Sequence, residues 1–160
     1  MKKNSFIVIF LSVFFISFSS SAEDLLSKVK SFFGKTNYSD EELSAISLDK
    51  LEEMCFSKNI VQACNYAGKK SALVTSPDKN WYKAERLFQK GCDNNNVSSC
   101  NLLGELYSLK VIQGKDEKDS EQFFLKGCNQ KDPTSCYKLA NYYDSQKDSS
   151  NFNKYKDITM

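Results

Sequence analysis

The sequence predicts an all-α protein: an α/α solenoid of helix-turn-helix repeats joined by disulfides. Cys64, Cys100 and Cys136 lie 36 residues apart in each step. The segment Leu87–Cys92 recurs at the same offset as Phe123–Cys128. A period of about 30–40 residues built from two helical stretches is typical of an α-solenoid. Only two prolines and six glycines interrupt the chain, which favours long helices over a β architecture with many turns.

The first 22 residues have the three parts of a secretory signal peptide. A positive start, Met1–Lys3, precedes an apolar run from Phe6 to Phe18, and the small residues Ser20–Ala22 follow it. The run is shorter than the roughly 20 residues that a membrane span needs, although an uncleaved anchor is the alternative. We therefore expect cleavage after Ala22, export to the periplasm or the medium, and no stable membrane anchor.

Charge and composition exclude several classes of function. Removing the leader takes away two lysines and no acid, which leaves 20 basic and 20 acidic residues. A neutral chain gives no support to a nucleic-acid partner, which would require a basic surface. The sequence contains no histidine, which excludes Ser-His-Asp and Cys-His catalysis and His-ligated zinc or haem. We expect neither a metal nor a cofactor.

Six cysteines, all beyond the leader, predict three disulfides, because an exported chain meets an oxidising compartment. Their shared 36-residue phase selects the pairs Cys55–Cys64, Cys92–Cys100 and Cys128–Cys136. Zinc is the competing interpretation, but zinc thiolates usually lie two to four residues apart rather than eight or nine. Redox catalysis would require a Cys-x-x-Cys pair, and the sequence has none.

An amphipathic stripe predicts the first helix after the leader, at about 24–33. The stripe consists of Leu25, Leu26, Val29, Phe32 and Phe33. Such a stripe caps the end of a solenoid more often than it binds a membrane or a partner helix, which is the alternative. We therefore assign residues 23–47 to an N-terminal helical cap.

Seven further helices follow in the predicted order. Their approximate ranges are 40–57, 60–74, 79–94, 98–110, 117–130, 134–146 and 150–158. Apolar residues at helical spacing give the helix after Cys100 one face: Leu102, Leu103, Leu106, Tyr107 and Leu109. The preceding helix has a face of Trp81, Ala84, Leu87 and Phe88, with Phe123 and Phe124 as the later counterpart.

Small residues and capping residues support these helices. Gly104 and Ala140 occupy matching places in two repeats, and Ala67-Gly68 lies near that place in the first. Because glycine within a helix costs about 1 kcal/mol, we expect it to allow close helix packing. Asp78 is the expected N-cap of one helix and Pro133 the expected start of another. Turns are expected at Ser76-Pro77 and Gln113–Lys115.

The repeat motifs resemble Sel1-like repeats, which are related to tetratricopeptide repeats. The resemblance rests on the Leu103–Tyr107 segment, Leu-Gly-Glu-Leu-Tyr, and on the Lys-Gly-Cys ending at Cys92. Cysteines with seven residues between them are similar to those of the secreted Helicobacter cysteine-rich, or putative β-lactamase, family. The resemblance covers about 48–160 and implies repeats at about 62–97, 98–133 and a truncated 134–160.

The first repeat departs from the family pattern. Its two cysteines, Cys55 and Cys64, have eight residues between them, and Met54 replaces the usual glycine. The helix from Asn65 to Val74 lacks the Leu-Gly-x-x-Tyr core. We therefore expect a degenerate repeat at this end.

The resemblance implies two different functions. Sel1-like arrays bind a protein or peptide ligand on a concave helical groove, for which exposed aromatics are the usual anchors. The candidate groove aromatics are Trp81, Tyr82, Tyr107 and Tyr143. The family label implies instead a penicillin-binding protein or β-lactamase that acts on a β-lactam or a peptidoglycan-like compound. We expect the scaffold.

Residue motifs give the hydrolase little support. A serine β-lactamase needs Ser-x-x-Lys together with Ser-Asp-Asn and Lys-Thr-Gly elements. The Ser-x-x-Lys matches, about as many as chance supplies in a chain this rich in serine and lysine, are Ser27/Lys30, Ser47/Lys50, Ser76/Lys79 and Ser135/Lys138. Ser-Asp-Asn is absent, and Lys35-Thr36-Asn37 lacks the glycine. We assign no catalytic residue.

Overall fold

The structure, a computed structural model, describes residues 36–73 and 80–158. Contacts divide the chain into Met1–Tyr38, of which only residues 36–38 are described, and Ser39–Met160. Within the described residues the second unit is all-helical and contains three disulfides. No helix in this part of the chain combines the length and apolar character of a membrane span. The leader and the helix predicted at 24–33 lie outside the described residues.

Eight helices follow one another in the described part of the chain. They are α1 (Asp40–Ala45), α2 (Leu48–Phe56), α3 (Val61–Leu73), α4 (Trp81–Asp93), α5 (Val97–Ser108), α6 (Glu117–Asn129), α7 (Pro133–Ser145) and α8 (Ser149–Lys156). From α3 onward, each helix begins and ends within two residues of its predicted bounds.

The single helix predicted at 40–57 is wrong, because the structure has two helices there. α1 begins with a capping box, in which Ser39 accepts from the Glu42 backbone N–H and Glu42 accepts from that of Ser39. Ile46 and Ser47 then adopt extended backbone, with ψ of 141° and 155°. Two successive extended residues interrupt the helical backbone hydrogen bonds, so α1 ends there and α2 begins at Leu48.

Capping explains where the later helices begin. Asp78, the predicted cap, lies outside the described residues, and Asn80 is the N-cap of α4, accepting from the Lys83 N–H at 2.8 Å. Pro133 is the first residue of α7, as predicted, behind the N-cap Asp132. Proline suits that position because its missing N–H would have had no helical acceptor.

Each helix from α2 to α8 packs on its neighbour in sequence, and smaller contacts join α1 with α3, α2 with α4 and α3 with α5. Glycine permits the closest approaches. A Cβ on Gly68 would lie 2.4 Å from the ring of Phe88, and one on Gly104 would lie 2.6 Å from the ring of Phe124. The 36-residue period therefore repeats a ring-on-glycine contact between α3 and α4 and between α5 and α6.

The disulfides are Cys55–Cys64, Cys92–Cys100 and Cys128–Cys136, the pairs that the spacing predicts. Each joins the end of one helix to the start of the next, and all six cysteines are buried.

A second close contact accompanies two of the disulfides. A Cβ on Gly91 would lie 2.3 Å from Ser99 Oγ, and one on Gly127 would lie 2.1 Å from Ser135 Oγ. In the degenerate repeat the corresponding positions hold Met54 and Ala63, both buried. The degenerate repeat thus lacks both the glycine and the serine hydroxyl that packs against it in the other two repeats.

Candidate ligand-binding groove between α5 and α7

Buried polar side chains set α3, α5 and α7 side by side. Asn65 Nδ2, on α3, donates to Ser98 Oγ and Ser99 Oγ at 3.2 Å each. One repeat later, Asn101 Nδ2, on α5, donates to Asp132 Oδ2 at 3.2 Å. Because a buried amide without partners costs about 1–3 kcal/mol, each pairing holds its helix in register with the next repeat.

Ser135 completes the second of these clusters. Its hydroxyl lies 2.7 Å from Asn101 Oδ1 and 2.6 Å from Asp132 Oδ2. Burial alone would raise the pKa of the Asp132 carboxyl, but hydrogen bonds from Ser135 and Asn101 and the charge of Lys138 lower it below its usual value. The carboxylate is therefore ionised and part of the packing. The buried asparagines were not predicted as a polar cluster, although Asn65 and Asn101 both follow a cysteine, 36 residues apart.

A groove of about 340 Å³ lies between α5 and α7, above α6. It is called the α5–α7 groove here, and its lining residues are Glu105, Ser108, Leu109, Glu117, Phe124, Lys138, Asn141 and Tyr142. The rings of Phe124 and Tyr142 are largely buried, whereas Leu109 at the rim is 70% exposed. The groove thus has an apolar base and one large apolar side chain that is exposed to solvent.

Charged residues cross and border the groove. Lys138 Nζ, on α7, forms an ion pair with Glu105 Oε1, on α5, and lies 6.0 Å from the centroid of the Phe124 ring. Glu117, at the start of α6, accepts a hydrogen bond from Ser145 Oγ at 2.8 Å. The Glu105 carboxylate is thus neutralised by a cation, whereas the Glu117 carboxylate accepts a hydrogen bond from a neutral hydroxyl.

The structure does not gather the four predicted groove aromatics. Tyr82 is 54% exposed on α4, and Trp81 is half-buried against the core. Tyr107 is buried, its hydroxyl donating to Glu85 Oε1 at 2.6 Å, and Tyr143 is half-buried, stacked 5.6 Å from Tyr155. None of the four lines the α5–α7 groove.

A second cleft, of about 360 Å³, lies between α4 and α6 and includes the edge of Tyr107. Its two lysines are engaged within the fold. Lys126 Nζ donates to the carbonyl of Cys92 at 2.6 Å, and Lys115 Nζ lies 5.3 Å from the centroid of the Tyr107 ring. This cleft therefore belongs to the packing between repeats.

Tyrosine–glutamate pairs recur with the repeat. Tyr107 donates to Glu85 and Tyr143 donates to Glu121, 36 residues later in each case. Burial raises the pKa of both hydroxyls, and the hydrogen bond to a nearby carboxylate raises it further. Ionisation would place a phenolate against a carboxylate, so both phenols are held in their neutral form.

Alkaline pH is expected to destabilise the protein through these pairs. Since the folded-state pKa of Tyr107 exceeds its unfolded value of about 10, the stabilisation is complete below about pH 10 and is lost as the pH rises further. Urea unfolding followed by circular dichroism from pH 8 to 11.5 should show this loss. The Tyr107→Phe variant should lose less stability over the same range, and an identical loss would contradict the assignment.

The Ser-x-x-Lys matches do not form serine–lysine pairs where the structure describes them. Ser135 is fully buried, and the ammonium of Lys138 pairs with Glu105. Ser47 precedes α2, and Lys50 Nζ pairs with Glu53 at 2.6 Å. Ser27/Lys30 and Ser76/Lys79 lie outside the described residues.

No protein-family model matches the chain. No curated protein matches it either. The function proposed for the chain therefore rests on its own residues and contacts.

Proposed function

We propose that the chain is an exported Sel1-like repeat scaffold that binds a protein or peptide segment in the α5–α7 groove. The observation that carries the proposal is Leu109, a large apolar side chain 70% exposed beside a largely apolar groove. Peptide ligands are usually held by a few apolar anchors in concave sites with a small number of polar groups. The groove has both components, in Leu109 and the Glu105–Lys138 pair.

Repetition of contacts supports the solenoid arrangement. Helices pack on their neighbours in sequence. The glycine–ring contacts at Gly68 and Gly104 recur at the repeat period, as do the buried asparagines Asn65 and Asn101. A stack in which each repeat contacts the next is the architecture of repeat proteins that expose an extended binding surface.

Three disulfides support export to the periplasm or the medium. Structural disulfides form and persist in oxidising compartments and are rare in the cytosol. The described part of the chain has no free cysteine. Once the three disulfides have formed, no thiol is left there to react. The leader at residues 1–22 would supply the route.

The hydrolase alternative has no observation in its favour among the described residues. Ser135 hydrogen-bonds within the core and is inaccessible to a substrate. A general base must lie within hydrogen-bonding reach of the nucleophile, and the lysine of that motif pairs with Glu105 instead. The scaffold requires no such pair.

Selection from a random peptide library displayed on phage tests the scaffold. The full chain, expressed with its own leader and purified in oxidised form, should enrich peptides that bind it. Leu109→Asp should weaken their binding at least about tenfold, because a carboxylate would replace the apolar anchor. The matched control is Tyr82→Asp, which changes an exposed residue of α4. Equal losses in the two variants, with helicity retained, would place the binding surface elsewhere.

A further inference from the structure

We propose that the α5–α7 groove selects segments in which an apolar side chain is flanked by lysine or arginine. This inference rests on the proposed function and names the chemistry of its partner. The basis for the inference is the charge of the residues that line the groove and lie next to it.

Within the described residues, three carboxylates near Tyr142 form no ion pair. Glu117 lines the groove, Asp116 is the N-cap of α6, and Glu121 lies in the second turn of that helix, where it accepts a hydrogen bond from Tyr143. No lysine or arginine among the described residues forms an ion pair with any of them. Burial raises the pKa of the Tyr142 hydroxyl, and the charges of Glu121, Glu117 and Asp116 raise it further, in keeping with the position of Glu117 beside Tyr142 in the groove lining.

Lys138 is the one cation lining the α5–α7 groove, and Glu105 neutralises it. Lys110 and Lys147 lie just beyond the carboxyl ends of α5 and α7, where a cation offsets the partial negative charge of a helix end. The N-terminus of α6 supplies about half a positive charge, which partly offsets the charges of Asp116 and Glu117. The carboxylates of Glu105 and Glu117 outnumber the ammonium of Lys138 in the groove lining, so the lining keeps an excess of negative charge.

The apolar part of the groove fixes where the cation would lie. Leu109 and the base formed by Phe124 and Tyr142 accept an apolar side chain. Glu117 lies at the border of that apolar surface. A residue adjacent to the apolar anchor would thus reach Glu117, where a basic side chain gains an ion pair and an acidic one meets repulsion.

Selection of the same phage library for binding to the oxidised full chain tests the inference. The readout is the amino-acid composition of the enriched peptides. Enriched peptides should carry Lys or Arg next to Leu, Phe or Met more often than the unsorted library does. A synthetic copy of an enriched peptide, with its basic residue replaced by glutamate, should bind at least about fivefold more weakly at low salt. The difference should shrink at 0.5 M salt, which screens exposed charges.

Charge reversal in the protein provides the second half of the test. Glu117→Lys should invert the preference, so that the glutamate peptide binds better than the basic one. Glu117→Gln, which keeps the shape, should reduce the preference without inverting it, and Glu53→Lys on α2 is the matched control that should leave it unchanged. Peptides that bind equally in basic and acidic forms would overturn this inference but leave peptide binding intact. Failure to enrich any peptide would overturn both.

Discussion

Reduction of the three disulfides is expected to unfold the protein. Each disulfide closes a loop of about nine residues, for which chain entropy gives about 2.5 kcal/mol. Loss of all three removes about 8 kcal/mol, comparable to the whole stability of a small domain. Helical circular dichroism and peptide binding should disappear together once thiol titration shows full reduction. A fully reduced protein that retained its helical signal would contradict the estimate.

The double variant Cys92→Ala/Cys100→Ala isolates one disulfide. It should lose about 2.5 kcal/mol of unfolding free energy in urea, with helices still formed at room temperature. Both sulfurs are buried against α4 and α5, so alanine also leaves a small cavity that adds to the loss. If the variant is as stable as the parent, the unfolded chain gains no conformational entropy when this disulfide is removed, which would contradict the prediction.

Replacing Phe88 with alanine is expected to have the second large effect. The ring is 1% exposed and packs directly on the backbone at Gly68. Truncation of such a side chain costs about 3–5 kcal/mol, because no neighbour can fill the space. The matched control is Phe56→Ala, whose ring is 45% exposed and whose loss should be below about 1 kcal/mol. Urea unfolding of both variants in the oxidised state measures the difference. Similar losses would mean that the ring-on-glycine contact contributes little.

Much of the helical framework was predictable because the chain repeats itself. A fixed offset of 36 residues selects one disulfide pairing from many, and it aligns Gly68 with Gly104 and Phe88 with Phe124. The break at Ile46 and Ser47 was not predictable, since neither residue excludes a helix by itself. There, extended backbone and the N-cap position of Ser47 separate two short helices.

Leu109 shows why the groove was harder to predict. The sequence places it on the apolar face of α5, yet only Leu103, Leu106 and Tyr107 of that face are buried. Seven residues make nearly two helical turns, so Leu102 and Leu109 lie in line along one edge of the face. Whether this edge of the helix is covered depends on how the next repeat packs against it. The local periodicity of the sequence carries no information about that packing.

The position of the predicted groove aromatics outside the α5–α7 groove has a related reason. Residue type marked Tyr107 and Tyr143 as anchors, but each donates a hydrogen bond to a glutamate 22 residues earlier, in the preceding repeat, and is thereby held within the fold. The Glu105–Lys138 pair joins residues of neighbouring repeats, 33 positions apart. Such pairs become visible only when helices are set side by side.

The position of the disulfides also bears on the resistance of the protein to proteolysis. Exposed turns such as Asn94–Asn96 and Gln130–Asp132 are the usual places of proteolytic cleavage. Here each turn lies between two bonded cysteines, Cys92–Cys100 in the first case and Cys128–Cys136 in the second. A single cut in either turn leaves the two fragments covalently joined, with the helices on both sides still held together. The nicked molecule would therefore migrate as one species until it is reduced.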